Sequence, residues 1–385
     1  MVDRLEAILV DHHRRSGHAW LEIYHRAAWI RRVELRNSEL LLRAGHEDGV
    51  AVRFRPPGAG AVHFGAASGA GITSVSRALA LATPAADSGC PPKGHPQGTL
   101  IDRDDDGRLV PCAEMEDWLR CACERVGDQA GSTAWVEVAV THEAWVASDG
   151  VRASRRRTRA WSLFRSISAQ PDGSPVLAAS RGWPGLTTDA WRTQLEDRGR
   201  AREAPKPTDR TRLILLPEAA AKITQALVPA LHGTQEAIGE SVGPGWDVSD
   251  EPRDRRSLFG GEFDDSLTPT QSMALAGSGR ILFNLGDSGH ARRASYRDPP
   301  IQTPSHLVVH PPKVDPIGSE AVAAAVRIHP IGREWLLEIS PGPGWIRTSP
   351  TELAKRCLGG IGAVRDSYLG VTAPSLVFAD LAVRW

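Results

Sequence analysis

The sequence predicts an α+β fold: an N-terminal antiparallel sheet with packed helices, followed by a strand-rich C-terminal domain. Apolar, β-branched runs bounded by turn residues recur through residues 20–65 and again through 135–169. Segments with helical apolar spacing surround them at 2–15, 72–82 and 113–126. Beyond Pro205 and Pro207 the chain changes character, with short apolar runs and glycine-rich turns dominating. At 385 residues the chain can fill two cores. The domains are read as 1–204 and 211–385.

Residues 2–15 form an amphipathic helix with Leu5, Ile8 and Leu9 on one face. Strands follow at Trp20–Tyr24, Ala28–Leu35, Leu40–Arg43, Val50–Phe54 and Ala61–Gly65. A helix is expected at 72–82. Residues 83–111 hold several prolines and the acidic run Asp102–Asp106, and read as a solvated surface loop. That run lacks the glutamate an EF-hand loop needs. A helix at 113–126 places Met115, Trp118, Leu119 and Ala122 inward. Strands come next at Trp135–Thr141, Ala144–Ala147 and Ala160–Ala169. Arg155, Arg157 and Arg159 project to one strand face. They read as a solvated surface, with an acidic partner or substrate carboxylate as the alternative. A polar helix at 186–203 closes the first domain, and proteolysis is expected within 83–111 or 199–210. In the second domain, Arg212–Leu216 is a strand. Pro217 opens a helix that Pro229 ends or kinks, and Ser349 caps a helix predicted over 350–364.

Lys plus Arg and Asp plus Glu both total 46, so the net charge is zero. That argues against general affinity for nucleic acid or an anionic membrane. No run reaches the ~20 apolar residues a membrane helix needs. The N-terminus lacks a signal-peptide pattern, so a cytoplasmic location is expected. Five cysteines at irregular spacing fit free thiols better than a disulfide framework.

Residues 238–283 gather carboxylates at tight turns, with Asp250, Asp264 and Asp265 prominent. The motif order here resembles the TldD/PmbA metallopeptidase family. The residues that carry it are Gly239-Glu240-Ser241-Val242, Phe263-Asp264-Asp265-Ser266-Leu267-Thr268-Pro269, Ser288-Gly289-His290-Ala291-Arg292-Arg293-Ala294-Ser295-Tyr296, and the closing run Ala373–Phe378. Gly49-Val50-Ala51-Val52-Arg53 and Ser148-Asp149-Gly150 resemble N-terminal family motifs. One departure is plain: the family's Asp-Asp-Glu-Gly reads Asp264-Asp265-Ser266-Leu267.

The catalytic TldD branch carries His-Glu-x-x-x-His on a helix, with two imidazoles on zinc and the glutamate as general base. In the matching helix here, Gln225 to Ala230 fall where that motif belongs and supply no ligand. The Gln235-Glu236-Ala237 segment also lacks histidine, and the family's late cysteine has no counterpart in Asp366–Ser375. His46-Glu47 and His142-Glu143 each lack a second histidine at the required spacing. No Gly-x-Ser-x-Gly, Walker loop or dinucleotide-binding glycine motif is present.

The resemblance therefore implies a TldE (PmbA)-like subunit with no catalytic residues, metal or cofactor of its own. Zinc is expected in a TldD-like partner subunit, and the substrate is peptide or peptide-like, as in natural-product maturation. Asp250, Asp264, Asp265, His290 and Arg293 are the candidate substrate or interface residues, with turn formation as their simpler role. Trp246 and Trp345, beside glycine and proline, are read as interface surface. A stand-alone hydrolase using Asp264, Asp265 or His290, and a regulatory protein-binding module, are the alternatives.

Overall fold

The computed structural model describes residues 1–36, 39–85, 98–103, 109–127, 132–166, 175–203, 211–232, 238–282, 290–293, 295–315, 321–323, 325–340, 344–368 and 371–381. The expected linker at 204–210, the Gln235-Glu236-Ala237 segment and Ser288-Gly289 lie outside them.

The first half is one sheet with helices on one face. Helix α1 (Val2–Ser16) buries Leu5, Ile8 and Leu9, then stops at Gly17 in the left-handed region. Strands β1 (Trp20–Arg36), β2 (Glu39–Arg55) and β3 (His63–Ser68) form a meander before helix α2 (Ile72–Ala80). Next come β4 (Thr83–Pro84), β5 (Gly98–Arg103), helix α3 (Cys112–Val126), β6 (Thr133–Ala147), β7 (Val151–Arg165), β8 (Val176–Arg181) and helix α4 (Ala190–Glu203). The strand order is β4-β3-β2-β1-β6-β7-β5, with β8 continuing along the outer edge of β7. The pairs are antiparallel except β5–β7, which is parallel.

The sequence understates the strands. Predicted breaks near His25–Ala27, Gly45–Gly49 and His142–Glu143 all lie inside continuous strands. These polar residues have partners in the sheet, so they do not end it: His25 Nε2 lies 2.7 Å from Asp48, for example. The loop expected over 83–111 is corrected too. It contains β4 and β5, and Asp102 on β5 is buried against Arg157.

The second half opens with β9 (Thr211–Leu215) and helix α5 (Pro217–His232), which passes through Pro229 without ending. Gln225, whose carbonyl loses its helical donor there, and Pro229 are both exposed, so water can replace the missing bond. Strands β10 (Val248–Asp250), β11 (Met273–Gly277), β12 (Arg280–Ile281), β13 (Ala291–Arg292), β14 (Ile301–Gln302), β15 (Leu307–Val309) and β16 (Ala321–Ala323) follow. Then come β17 (Ala325–Ile331), β18 (Glu334–Ser340), β19 (Gly344–Thr348), helix α6 (Pro350–Lys355), β20 (Cys357–Tyr368) and β21 (Val371–Leu381). A mixed sheet, β12-β11-β10-β15-β21-β9-β16 with β20 beside β21, packs on α5. β17, β18 and β19 form a separate antiparallel sheet.

The helix predicted over 350–364 is only α6, capped as expected by Ser349, whose side chain accepts from the Glu352 amide. It ends at Lys355, and β20 has begun by Cys357, ahead of Gly359 and Gly360. A Cβ on Gly359 would collide with Val314 and the Pro312 carbonyl, so the chain runs there as strand. Trp246 is also corrected: it is fully buried in the second core, beside Val248 and Cys357, and offers no interface surface. Trp345 is half-buried.

Candidate functional site

The two faces of the first sheet have different tasks. Leu21 and Ile23 of β1, Val50 and Val52 of β2, and Ala144 and Val146 of β6 face the helices. Residues of the other parity carry charge: Glu22, Arg53, Glu143, Arg155 and Arg157 are all buried. Glu22 stands directly across from Arg53, and Glu143 across from Arg155. Opposite charges facing each other on neighbouring strands support the sheet itself.

Segments of the second half cover this charged face: residues 257–270, 290–293 and 295–297. Arg159 donates to the Leu258 carbonyl at 2.7 Å, Arg157 to the Phe259 carbonyl at 3.1 Å, and Arg155 to the Phe263 carbonyl at 3.4 Å. Successive outward arginines of β7 thus hold successive parts of one loop. Arg155 also pairs with Glu143 at 2.7 Å and with the Asp265 carboxylate. Arg157 meets Asp102 at 3.3 Å. Glu22 accepts from Arg53 at 2.9 Å and from Arg293 at 3.1 Å. Aromatic rings fill the gaps. The Arg155 guanidinium lies 4.9 Å from the Trp145 ring centre, and Phe263 meets Trp145 edge-on. The solvated arginine face expected from sequence is therefore wrong. Arg155 is 4% exposed and Arg157 2%, and their acidic partners lie within the chain.

Asp264, Asp265, His290 and Arg293 lie in this cover, and Asp250 of β10 meets it through His290. Asp264 folds its own turn, accepting from the Ser266 amide at 2.8 Å and the Thr268 amide at 2.9 Å. Its second oxygen accepts from the Ala291 amide at 2.9 Å. Asp265 accepts from the Arg293 amide at 2.6 Å besides pairing with Arg155. Asp250 accepts from the Ser305 and His306 amides and lies 2.9 Å from His290 Nδ1. The Gln271 amide points at His290 Nε2 at 3.4 Å, which makes Nε2 the acceptor and Nδ1 the donor. Leu267 adopts a left-handed φ of 65°. Its side chain is fully buried with Tyr24, Trp145 and Phe263, which offsets the strain.

The electrostatics follow from this crowding. Burial opposes ionisation of Glu143, but Arg155, Arg26 and Arg157 outweigh it and hold the carboxyl well below the usual range. Burial and Glu143 push the Tyr24 phenol well above its ordinary value. Burial raises the Asp264 carboxyl against the pull of three backbone amides. Arg157 is pushed down to about 10 by burial and Arg155, and Arg159 to about 9 by burial and Arg157. Both stay cationic at neutral pH.

Chemically this arrangement is a clamp. The carboxylates of Asp250, Asp264 and Asp265 and both ring nitrogens of His290 are engaged within the chain. A general acid or base needs reach to a substrate proton, and all four of these side chains are buried. Gln225 to Ala230, the residues expected in the place of a His-Glu-x-x-x-His motif, lie on helix α5 and include no imidazole. Cys357 is buried, with its thiol pushed up to about 12 by burial. Among the described residues no three His, Cys, Asp or Glu side chains converge to hold a metal ion. No described helix is long and apolar enough to cross a membrane.

Sequence reasoning missed Glu22, Tyr24, Arg53, Asp102 and Glu143. The available signal was parity. Charged residues recur on one face of otherwise apolar strands, and such a face needs an ionic cover.

No protein-family model and no curated protein matches the sequence. Solved structures do match over its whole length. TldE from Thermococcus kodakarensis superposes with a TM-score of 0.75 at 13% identity, covering 99% of this chain and 100% of that one. A proposed modulator of a DNA gyrase from Thermotoga maritima gives 0.72 at 13%, covering 100% of both chains. A proposed modulator of DNA gyrase from Bacteroides thetaiotaomicron gives 0.70 at 12%, covering 100% and 99%. The chain thus has the TldE-like fold from end to end.

Proposed function

We propose that this TldE-like chain is the non-catalytic subunit of a heteromeric zinc peptidase. A TldD-like partner supplies the metal and the general base, and the complex hydrolyses peptide or amide bonds, as in maturation of a peptide natural product. One observation carries the reading. The TldE-like fold is kept over the full length, while the candidate acids and bases in its turns are engaged inside the chain: Asp265 pairs with Arg155 of the first half, and Asp250, Asp264 and His290 bond within the second half. A chain built this way supplies a rigid wall and an interface to chemistry done elsewhere. Obligate interfaces of that kind bury about 2,000 Å² or more.

The test is co-expression with a chain bearing His-Glu-x-x-x-His, followed by elemental analysis of the isolated subunit and of the complex. Zinc should accompany the complex alone. Zinc held tightly by the isolated subunit would overturn the assignment.

A further inference from the structure

The far half of β2 is an open sheet edge. β3 pairs with β2 only from Gly49 to Phe54. Residues Glu39–Asp48 pair with β1 on one side, and no described strand runs along the other. One hydrogen bond fixes which backbone groups are free. The Gly69 amide donates to the Asp48 carbonyl at 2.9 Å, so the Asp48 backbone points away from β1. The register of β1 on β2 runs from Asp48 to Glu39 without a shift. Alternation therefore turns the amides and carbonyls of Leu40, Leu42, Ala44 and His46 outward too.

Sheets usually blunt such an edge with charge, proline or a bulge. This one carries three leucines between a glutamate and an arginine, Glu39-Leu40-Leu41-Leu42-Arg43. Leu41 is 39% exposed and Leu42 60%. The Arg43 side chain is 65% exposed and meets Glu34 at 3.6 Å. The run is complementary to itself when antiparallel. With Leu41 opposite Leu41 of a second copy, Glu39 stands opposite Arg43 at both ends and Leu40 opposite Leu42. Outward-pointing residues then meet outward-pointing residues, and the two Leu40–Leu42 pairs exchange four backbone hydrogen bonds. Leu42 of the second copy comes to lie beside Leu40, which packs on the core around Val33 and Met115. Neighbouring registers lack this match. Centring on Leu42 sets Arg43 against Leu41. Centring on Arg43 sets Arg43 against Arg43 and Glu39 against Glu47, and like charges directly opposite are destabilising.

We propose that two copies of this chain pair through the β2 edge at Glu39–Arg43, about a two-fold axis at Leu41, so that the first sheet continues from one copy into the other. The same patch serves on both sides, so the assembly closes at two. The leucines supply the buried apolar surface, and the Glu39–Arg43 pairs set the register. The contact needs neither zinc nor a catalytic partner.

Sedimentation velocity of the isolated full-length chain reads the contact directly. A reversible monomer–dimer equilibrium is expected between about 1 and 300 μM, because two five-residue segments bury less than the ~1,200 Å² at the lower end of stable complexes. Glu39→Arg and Arg43→Glu each place like charges at both ends and should weaken dimerisation about 10-fold. Mixed in equal amounts, the two variants should recover it, since each then offers the charge the other needs. Leu42→Lys should remove the dimer. These positions are exposed, and circular dichroism checks that the variants are folded. Cross-linking reads the register. Opposed residues of a pair without hydrogen bonds lie about 4.5 Å apart at Cα, within disulfide reach. Leu41→Cys should therefore oxidise to a covalent dimer beyond the level of the unmodified chain. His46→Cys, exposed but outside the overlap, should not. A chain that stays monomeric throughout the range, growth beyond two copies, a dimer indifferent to the charge reversals, or a mixture that fails to recover would each sink the proposal.

Discussion

Asp265→Ala tests the clamp most severely. The Asp265 carboxylate sits between the Arg155 guanidinium and the Arg293 amide, and it is 4% exposed. Removing it leaves Arg155 buried beside Arg157 and Arg159 with one carboxylate fewer. Breaking a buried ion pair from one side costs about 3–5 kcal/mol, because the remaining charge is uncompensated. An unfolding entropy of about 2.1 cal/mol/K per residue gives the chain roughly 0.8 kcal/mol/K, so the melting temperature should fall by about 4–6 °C. Urea denaturation followed by tryptophan fluorescence reads the same loss as a lower midpoint. The control is Glu334→Ala, which breaks the exposed pair with Arg347 and should cost no more than about 1 kcal/mol. If Asp265→Ala costs no more than this control, the arginines of β7 do not hold the halves together and the account of the site fails.

Other outcomes follow from the same geometry. Leu267→Ala keeps the left-handed backbone and loses the fully buried side chain, so it should destabilise by about 2–5 kcal/mol in the same denaturation assay. Gly49→Ala drives a methyl into the Tyr296 ring and should cost about 1–3 kcal/mol. Glu143 has a depressed folded value, so its contribution is present above its unfolded value and lost as pH falls through the folded one. Glu143→Gln should therefore flatten the acid limb of a stability–pH curve by up to one proton, about 1.4 kcal/mol per pH unit. Cys357, with its thiol pushed up to about 12, should resist thiol reagents at neutral pH until the protein unfolds.

Much of the fold was legible because apolar periodicity marks strands and helices whatever they pack against. Leu5, Ile8 and Leu9, or Met115 and Leu119, are cores that announce themselves. The failures share one cause. Polar residues were read as boundaries or surface because sequence does not show their partners. His25 looked like a strand break until Asp48 was placed beside it. Arg155 and Arg157 looked solvated because Asp265 lies 110 positions from Arg155 in the chain. Trp246 looked like surface because its neighbours are turn formers, yet the turn itself is buried. The acidic turns were found by their spacing. That Asp265 reaches Arg155 on the sheet of the other half depends on tertiary folding and leaves no local trace.

The central claim is that this chain contributes structure and binding to a reaction carried by a partner. Hydrolysis of a model peptide by the purified chain, by a TldD-like partner and by the two together tests it most directly, each with and without a zinc chelator. The account predicts turnover only in the mixture, lost on chelation and on mutation of the partner's zinc-site glutamate, and retained in Asp264→Ala of this chain. Sustained turnover by this chain alone, in chelator and without a partner, would contradict it.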